Sequence, residues 1–463
     1  MKVSFTRQIM TMAVALVVLA TSCVGQEIRY RKHVEDMSDS EWKALSDAIG
    51  LLRKKPSTDP LNYEHFVRIH GGGDLPTESG CEHYSEVLWP WHRAFLLHFE
   101  NALNSVRPKG SPVITLPYWD WTEVPTGKNC YPKAYEDSSN HLYDPRRNAH
   151  QPPCAPPWSH QNIEDQLSEN DWQLVGGGLK DDGRTGSLES GPHNGIHGGY
   201  IGGDNRTTQR AADDPLFWAH HAYMDMLVAE WQARHPDVPH CYACNDVAYD
   251  SDPSIGPVKV KDLLSIDRLP MAGGRTIQIV YLAKGKGKAL QNSVLRAAAL
   301  SLTGSESEKP SQPRESSSFS FAFPDLSGSR VLLRLSGVSI PKEHPYQAEV
   351  FIYPAGVTFE NAAAFSDKYK IGMFTEFANA HPQEHGMHKL AENGVTVSLD
   401  LTSEIKRKLA PLTDQGYVLT IVFKACEPGE SYSKIAGEVR VSDVRLERRD
   451  FAVEENIPLT PKD

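Results

Sequence analysis

The feature that most constrains this chain is the placement of its histidines in two groups that come from different helical regions. The first group comprises His70, His83 and His92, and the second comprises His193, His197 and the adjacent pair His220 and His221. Neutral imidazole suits copper, because it binds both Cu(I) and Cu(II) without adding the charge of a carboxylate or thiolate. Two groups of imidazoles therefore indicate a pair of copper ions.

Pro90 bears on how two histidines of the first group can reach one ion. His83 and His92 are nine residues apart, and at about 3.6 residues per turn they would face opposite sides of a single helix. Proline is tolerated in the first turn of a helix. The sequence therefore predicts a helix that begins near Trp89, with His92 in its opening turn and His83 in the preceding loop.

A separate helix is predicted over residues 62–70, because three glycines at residues 71–73 follow it and would end it. His70 is the last residue of this helix and is the expected third imidazole of the first group. His65 remains the weaker alternative, since it would reach the ion only if the helix ended elsewhere.

In the second group, His193 and His197 are four residues apart. On a helix they project from one face about one turn apart, so they can bind one ion. A zinc protease would need Glu directly after the first histidine as its general base, and Asn194 occupies that place. The zinc-protease interpretation is therefore excluded.

Two longer motifs surround these histidines, WPWHRAFLLHFE at residues 89–100 and LPYWDW at residues 116–121. In these motifs and in the histidine spacing, residues from about 63 to 231 resemble the type 3 copper family of tyrosinases, catechol oxidases and molluscan haemocyanins. The resemblance implies a mainly α catalytic domain in which a four-helix bundle holds two copper ions, with O2 as co-substrate.

The resemblance also implies the ligand set. It gives His70, His83 and His92 to the first copper, and His193, His197 and His221 to the second. Neighbouring helical positions differ by about 100° in direction, so His220 would lie behind the ligands or pack in the core. The chain has 19 histidines, and most are expected to be ordinary, including His98, His150, His160, His240 and His385. The aromatic residues Trp119, Trp121, Phe217 and Trp218 are expected in the core.

The activity that the resemblance implies is a copper monooxygenase that hydroxylates monophenols to o-diphenols and oxidises these to o-quinones. A catechol oxidase without monophenol hydroxylation and a haemocyanin-like reversible oxygen carrier remain alternatives. A carrier normally gains from tandem copper units, and this chain has one. The expected partner is a small phenol or catechol, and the oligomeric state stays open, an oligomer included.

Glu189 and Asn194 are the predicted catalytic residues. In tyrosinases, Glu and Asn at matching positions are proposed to hold a water that takes the proton from an incoming phenol. A free phenol has a pKa of about 10 and would otherwise arrive protonated, so a base is needed near neutral pH. The alternative is that Glu189 caps a helix that begins near His193, where an acidic group is favourable.

Cys81 lies two residues before His83. The same Cys-x-His arrangement forms a thioether crosslink in fungal tyrosinases and molluscan haemocyanins, so we predict that bond here. It would make the His83 ring more rigid. A buried free cysteine or a disulfide partner is the alternative.

The remaining cysteines suggest disulfides, as expected in an exported chain. Cys130 and Cys154 flank a proline-rich stretch that a disulfide could close, and Cys241 could bridge to Cys244. The second pair could alternatively collect Cu(I). Cys426 is left over.

The N-terminus predicts export. Residues 1–25 combine two basic residues, an apolar stretch and small residues, which is typical of a secretory signal. Cleavage is expected after Gly25, with cleavage before Cys23 as an alternative. The mature chain would be secreted, or periplasmic in a bacterium, with no membrane span. Losing Lys2 and Arg7 moves the formal charge from -11 to -13, which argues against nucleic acid as a partner. Asn205 begins a glycosylation sequon.

The composition changes after about residue 285, which predicts two domains. We expect a dicopper domain over residues 26–285, a linker over 286–318, a C-terminal β-sandwich over 319–450 and a tail over 451–463. Alternating apolar residues predict strands at residues 330–340, 347–353, 395–401, 417–423 and 435–446.

Access to the copper pair is expected to be open within the first domain, because no aromatic residue follows Gly198 and Gly199 over residues 202–208. A blocking side chain could still come from the C-terminal half. If that half is a lid, removing the residues beyond about Lys288 should raise activity toward bulky phenols.

Overall fold

The computed structural model describes residues 27–71, 80–179, 182–285, 316–323, 330–341, 345–359, 368–376, 394–409, 416–426, 439–449, 454–457 and 460–461. The expected signal peptide, most of the expected linker, the glycines at 72–73 and His385 lie outside these ranges. Within them, no helix is both long and apolar enough to cross a membrane.

Helices dominate the first half of the chain. They are α1 (Asp39–Arg53), α2 (Tyr63–Gly71), α3 (Leu88–Val106), α4 (His160–Leu167), α5 (Trp172–Val175) and α6 (Leu216–Arg234), with π-helical segments at Glu189–His193 and Gly195–Ile201. The predicted helix at residues 62–70 is confirmed, although Gly71 is its last residue. The start of α3 is confirmed as well, with Pro90 in the first turn.

Two of these helices, α3 and α6, lie at the centre of the first domain and are buried along most of their length. An ionic cluster joins them inside the core. Arg93 donates to Asp225 at 2.5 Å, and Arg31 donates both to Asp225 at 3.1 Å and to Glu100 at 2.9 Å. Since Arg93 follows His92 and Asp225 lies one turn beyond His221, this cluster fixes the two histidine-bearing helices against each other.

Short strands complete the first domain. They are β1 (Glu27–Arg31), β2 (Arg184–Thr185), β3 (Val247–Tyr249), β4 (Val258–Lys259), β5 (Leu269–Met271) and β6 (Arg275–Tyr281). β6 lies between β1, which is parallel to it, and β5, which is antiparallel. The first strand thereby brings Arg31 to the ionic cluster.

The C-terminal part is a β-sandwich, which we call the sandwich domain. Its elements are β7 (Ser316–Phe321), β8 (Arg330–Val338), β9 (Tyr346–Pro354), β10 (Lys370–Glu376), β11 (Val395–Asp400), α7 (Thr402–Leu409), β12 (Tyr417–Ala425), β13 (Asp443–Arg449), β14 (Glu454–Ile457) and β15 (Thr460–Pro461). One sheet has the order β10-β9-β12-β7-β15, and the other has the order β14-β13-β8-β11-β2. The predicted fold class, a mainly α domain followed by a β-sandwich, is confirmed.

Four of the five predicted strands are found where they were expected. The fifth begins at Asp443, later than residue 435, and residues 435–438 lie outside the described ranges. The strand β10 was not predicted, because its apolar residues are interrupted by Gly372. β7 begins inside the expected linker, and β14 and β15 lie inside the expected tail.

The two domains share a sheet. The strand β2 of the first domain pairs in parallel with β11 of the sandwich domain, with Arg184 opposite Thr396 and Thr185 opposite Val397. A strand of two residues has no periodicity to detect, so this pairing could not be predicted from the sequence. The sandwich domain is therefore joined by backbone hydrogen bonds to the segment that leads into Glu189.

Candidate dinuclear metal site

The first histidine triad is assembled from three elements. His70 comes from the last turn of α2, His83 from the loop before α3, and His92 from the opening turns of α3. All three are buried, and one ring nitrogen of each lies within 4.8 Å of the others. The structure thus brings together the three residues predicted for the first ion, while His65 is not part of the triad.

The second triad consists of His193, His197 and His221, whose ring nitrogens also lie within 4.8 Å of one another. The Nε2 atoms of His197 and His221 are 2.8 Å apart. The rings of His92 and His221 stack at a centroid distance of 4.2 Å. The two triads therefore adjoin inside one buried space.

The helix that carries His193 and His197 is wound differently from the expected α-helix. Its turns are of the π type, with the Asn194 amide bonded to the Glu189 carbonyl. Pro192 lies inside the segment and has no N–H to donate, which disfavours regular α-helical bonding. Such π turns are frequent at functional sites, and here they still direct both imidazoles to one point.

Four of the six imidazoles are held at Nδ1 by an oxygen that can only accept. The pairs are His70 with the Thr208 carbonyl (2.7 Å), His92 with the Leu88 carbonyl (2.8 Å), His193 with Asn194 Oδ1 (2.7 Å) and His197 with Asn205 Oδ1 (2.8 Å). Each Nδ1 must therefore carry the proton, which leaves the Nε2 lone pair for a metal.

The protonation states of the histidines also suit metal binding. Burial lowers the pKa of His193 to about 4, and burial together with neighbouring imidazoles lowers the pKa values of His92, His197 and His221 well below the ordinary value. These rings are neutral at neutral pH, which is the form that binds metal. Three imidazoles per triad are a donor set that suits copper.

Glu189 is fully buried beside the first triad. Its Oε1 accepts the Tyr84 amide at 2.8 Å and lies 3.7 Å from His83 Nδ1, while its Oε2 has no hydrogen-bond partner among the described residues. The carboxylate therefore does not cap its own helix, and the capping alternative is wrong. Burial raises the pKa of Glu189 to about 8, against the lowering effect of the Tyr84 amide.

Asn194 has a contact that the sequence did not predict. Its side-chain oxygen accepts from His193 Nδ1, so the amide orients a histidine of the second triad. A role in holding a water together with Glu189 stays a prediction.

Asn205 is the functional residue that sequence reasoning missed. It begins a sequon, yet its side chain is completely buried, so it is not an exposed glycosylation site. Its oxygen accepts from His197, and its amide donates to Asp214 at 3.0 Å. Asp214 in turn accepts two hydrogen bonds from Arg147. A buried chain of polar groups thus holds the His197 ring from behind.

The residues around the triads lie as expected. His220 accepts from Trp121 Nε1 at 3.1 Å, and His98 hydrogen-bonds the Tyr249 hydroxyl. Phe217 stands 4.2 Å from the His221 ring, so it is both a core residue and a wall of the site. Trp119, Trp121 and Trp218 are buried in the core.

The cysteines pair as proposed. Disulfides join Cys130 to Cys154 and Cys241 to Cys244. The Cys81 side chain is buried, and its amide donates to the His70 carbonyl at 3.1 Å. The crosslink to His83 stays a prediction.

The sandwich domain lies over the second triad. A Cβ atom added to Gly198 would be 3.1 Å from Thr375 Cγ2, and one added to Gly199 would be 3.5 Å from Gln347 Oε1. Met373 packs against the core of the first domain. The covering groups come from the C-terminal half, as the sequence left open, and the small residues at 198 and 199 make room for β9 and β10.

A known family model matches the part of the chain that carries this site. Residues 60–173 and 135–234 match the tyrosinase profile described as the common central domain of tyrosinase. All six histidines lie within these ranges.

Individual relatives match about half of this chain. The chain is 28% identical over 287 residues to a latent chloroplastic polyphenol oxidase of Prunus armeniaca, covering 52% of this chain and 47% of that protein. It is 28% identical over 240 residues to a tyrosinase of Streptomyces antibioticus, covering 45% of this chain and 85% of that protein. The chain spans about half the length of the plant polyphenol oxidases it matches.

Solved structures extend the likeness to both domains. Latent apple tyrosinase aligns with a TM-score of 0.61 at 19% identity, covering 92% of this chain and 98% of that one. A functional unit of octopus hemocyanin aligns with a TM-score of 0.53 at 17% identity, covering 90% and 99%. These two likenesses concern the fold alone.

Proposed function

We propose that this chain, whose residues 60–234 match the tyrosinase family model, hydroxylates monophenols to o-diphenols and oxidises these to o-quinones with O2. The observation that carries the proposal is the pair of adjoining buried triads, each composed of three imidazoles. The substrate would be a small phenol or catechol.

In this proposal, His70, His83 and His92 hold one copper ion, and His193, His197 and His221 hold the other. Bound copper would supply the one-electron couples through which O2 is reduced and the phenol is oxidised. The protein contributes the ligand orientation, through the Nδ1 contacts, and a dry site walled by Phe217.

Glu189 is the proposed base. A phenol that enters the site must lose its proton, and Glu189 Oε2 is a buried carboxylate oxygen with no hydrogen-bond partner among the described residues. A carboxyl group whose pKa lies at about 8 is better matched to proton transfer near neutral pH than an ordinary glutamate. Asn194 accepts a hydrogen bond from His193 and so fixes the ring of a histidine that lies in the same π-helical segment as Glu189.

The sandwich domain is the proposed lid. Thr375, Met373 and Gln347 lie on or beside the surface that covers the second triad. Two of the similar solved proteins, the apple tyrosinase and an aurone synthase, are described as latent forms. We extend that property to this chain, so catechol oxidation, which does not need the proposed base, should be slower in the intact protein than after its domains have been separated.

Export is part of the proposal. It rests on the N-terminal sequence and on the two disulfides, which persist in oxidising compartments.

The test of the function is oxygen uptake by the copper-loaded mature protein, before and after cleavage between the domains. Tyrosine is the sole substrate, and a trace of o-diphenol starts the reaction. Sustained uptake with tyrosine supports the proposal. Uptake with catechol alone, in the intact protein as well as in the cleaved one, would reduce the assignment to a catechol oxidase. No uptake with either, in the cleaved and fully loaded protein, would favour an oxygen carrier.

Glu189→Gln tests the base separately. The change keeps the shape of the side chain and removes the carboxylate, so monophenol hydroxylation should fall by about 100-fold or more while catechol oxidation changes far less. Glu86→Gln is the matched control, since Glu86 is also buried but bonds to Trp172 and Ala243. Equal losses on both substrates in Glu189→Gln would contradict the role of Glu189.

A further inference from the structure

Tyr84 has a backbone conformation that its side chain does not favour. Its φ is 60°, in the left-handed region that tyrosine rarely adopts. The residue directly follows His83 in the loop before α3. Strain of this kind persists only where the surrounding structure holds it in place, so the contacts of Tyr84 are informative.

The Tyr84 side chain leaves its own domain. It is completely buried, and it belongs to the hydrophobic cluster of the sandwich domain, together with Leu333, Val350 and Phe374. That cluster fills the space between the two sheets. A residue from the copper-site loop therefore occupies a place in the core of the other domain.

Successive side chains of β10 point to opposite faces of the sheet, and this explains where the Tyr84 ring lies. Thr375 faces the first domain, whereas Gly372 and Phe374 face the sandwich core. Glu376 shares the inward direction of Phe374 and is completely buried. Burial raises the pKa of the Tyr84 hydroxyl, and the Glu376 carboxyl group is close enough to raise that pKa further, although no hydrogen bond joins the two groups. Tyr84 thus meets the inner face of the strand whose outer face covers the second triad.

The backbone of Tyr84 contacts the proposed base. The Tyr84 amide donates to Glu189 Oε1 at 2.8 Å. The segment that leads to Glu189 is held as well, because β2, which ends four residues before Glu189, pairs with β11 of the sandwich domain. Glu189 is consequently fixed at two points that both depend on the sandwich domain.

We propose that Tyr84 is an interdomain peg, a positioning residue that inserts into the sandwich core and thereby holds the Glu189 carboxylate next to His83. Domain separation withdraws the ring from the core and removes the force that holds Tyr84 in the left-handed conformation. The bond from its amide to Glu189 is then lost. The sandwich domain accordingly orients the base as well as covering the site.

The role of Glu189 as a base rests on the proposed function, but the insertion of Tyr84 into the sandwich core can be tested without copper. A site-specific protease sequence is inserted after Glu308, and the copper-free full chain is cut there. Gel filtration then reports whether the two fragments stay together. Hydrogen exchange of the peptide spanning residues 81–86 reports the Tyr84 amide in the uncut protein.

Two substitutions separate the ring from the backbone. Tyr84→Asn removes the ring while keeping a residue that tolerates the left-handed region, and Tyr84→Phe keeps the ring. Tyr353→Asn is the matched control, because Tyr353 packs in a different cluster of the same domain with Phe351 and Val418.

We expect Tyr84→Asn to weaken fragment association roughly 100-fold, as large-to-small changes of buried aromatic residues do, and to speed exchange at residues 81–86. Tyr84→Phe and Tyr353→Asn should resemble the parent in both measurements. Fragments of Tyr84→Asn that remain together as firmly as those of the parent, with unchanged exchange, would overturn the peg.

The coupling to the base has its own readout. In the copper-loaded uncut protein, Tyr84→Asn should lower the ratio of monophenol hydroxylation to catechol oxidation by about tenfold, and Tyr84→Phe should restore it. An unchanged ratio would refute the positioning role even if association weakens. If the parent oxidises catechols alone, the proposed function fails, while gel filtration and hydrogen exchange still decide the peg.

Discussion

Replacing Asn205 by leucine should weaken copper binding at the second triad and spare the first. The leucine side chain has a similar size but cannot accept the proton of His197 Nδ1, which Asn205 Oδ1 now accepts at 2.8 Å. It also removes the donor to Asp214. The ring of His197 then loses the contact that selects its tautomer and its orientation.

The size of the effect follows from the burial of this contact. Asn205 is completely buried, so water cannot replace the lost partner, and a buried group left without its hydrogen bond costs about 1–3 kcal/mol. Loss of the partner behind a metal-binding histidine typically lowers metal affinity by about 10- to 100-fold. The two figures agree, since a factor of ten corresponds to about 1.4 kcal/mol.

The assay is a copper titration of the metal-free protein against a competing chelator, which resolves the two binding steps. One step should weaken by about 10- to 100-fold, and the other should match the parent. Asn104→Leu is the control, because Asn104 lies on α3 far from His92 and hydrogen-bonds to the backbone of Ile114. Two unchanged steps, or two equally weakened ones, would refute the reasoning.

Three further outcomes are expected. Asp225→Ala leaves the buried Arg93 without its carboxylate partner and leaves Arg31 with Glu100 in place of two carboxylates, so the free energy of unfolding should fall by about 3–5 kcal/mol. Asp47→Ala, at an exposed ion pair, should change it by less than about 1 kcal/mol; similar melting curves would contradict this. Glu86 has its pKa raised to about 7 by burial from an ordinary 4.5, so the folded chain binds this proton more tightly than the unfolded chain. Between about pH 4.5 and 7 the parent should therefore lose stability relative to Glu86→Gln as the pH rises, by about 3 kcal/mol at most, and parallel denaturation profiles would exclude it. Peptide mass spectrometry of protein loaded with copper in the presence of O2, the oxidant that would accept the two electrons and two protons, should find Cys81 joined to His83 with the loss of two hydrogens. A Cys81 that alkylates normally after reduction would disprove the crosslink.

The first triad could be predicted because its signals are local, whereas the choice of His221 for the second triad came from the family resemblance. Pro90 sets the start of α3, and the glycines after His70 mark the end of α2, so the elements that carry the first triad follow from neighbouring residues. The strands of the sandwich domain were found for the same reason, since alternation is visible within a single strand.

Contacts between distant segments could not be predicted. Asn205 has the sequence of a glycosylation sequon, and only the fold reveals that its amide is enclosed behind His197. Tyr84 follows a histidine in a loop, and no local pattern indicates that its ring enters another domain. The pairing of Arg184 with Thr396 spans too few residues to show a period. Each of these contacts depends on chain packing across more than one element.

Copper content tests the central claim most directly. The purified protein is loaded with copper, freed of excess metal and weighed intact under native conditions, beside His92→Ala and His193→Ala variants. The account predicts two copper ions per parent chain and one in each variant, because each change removes a ligand from a different triad. One ion in the parent, or two retained in either variant, would contradict a dinuclear site built from these histidines.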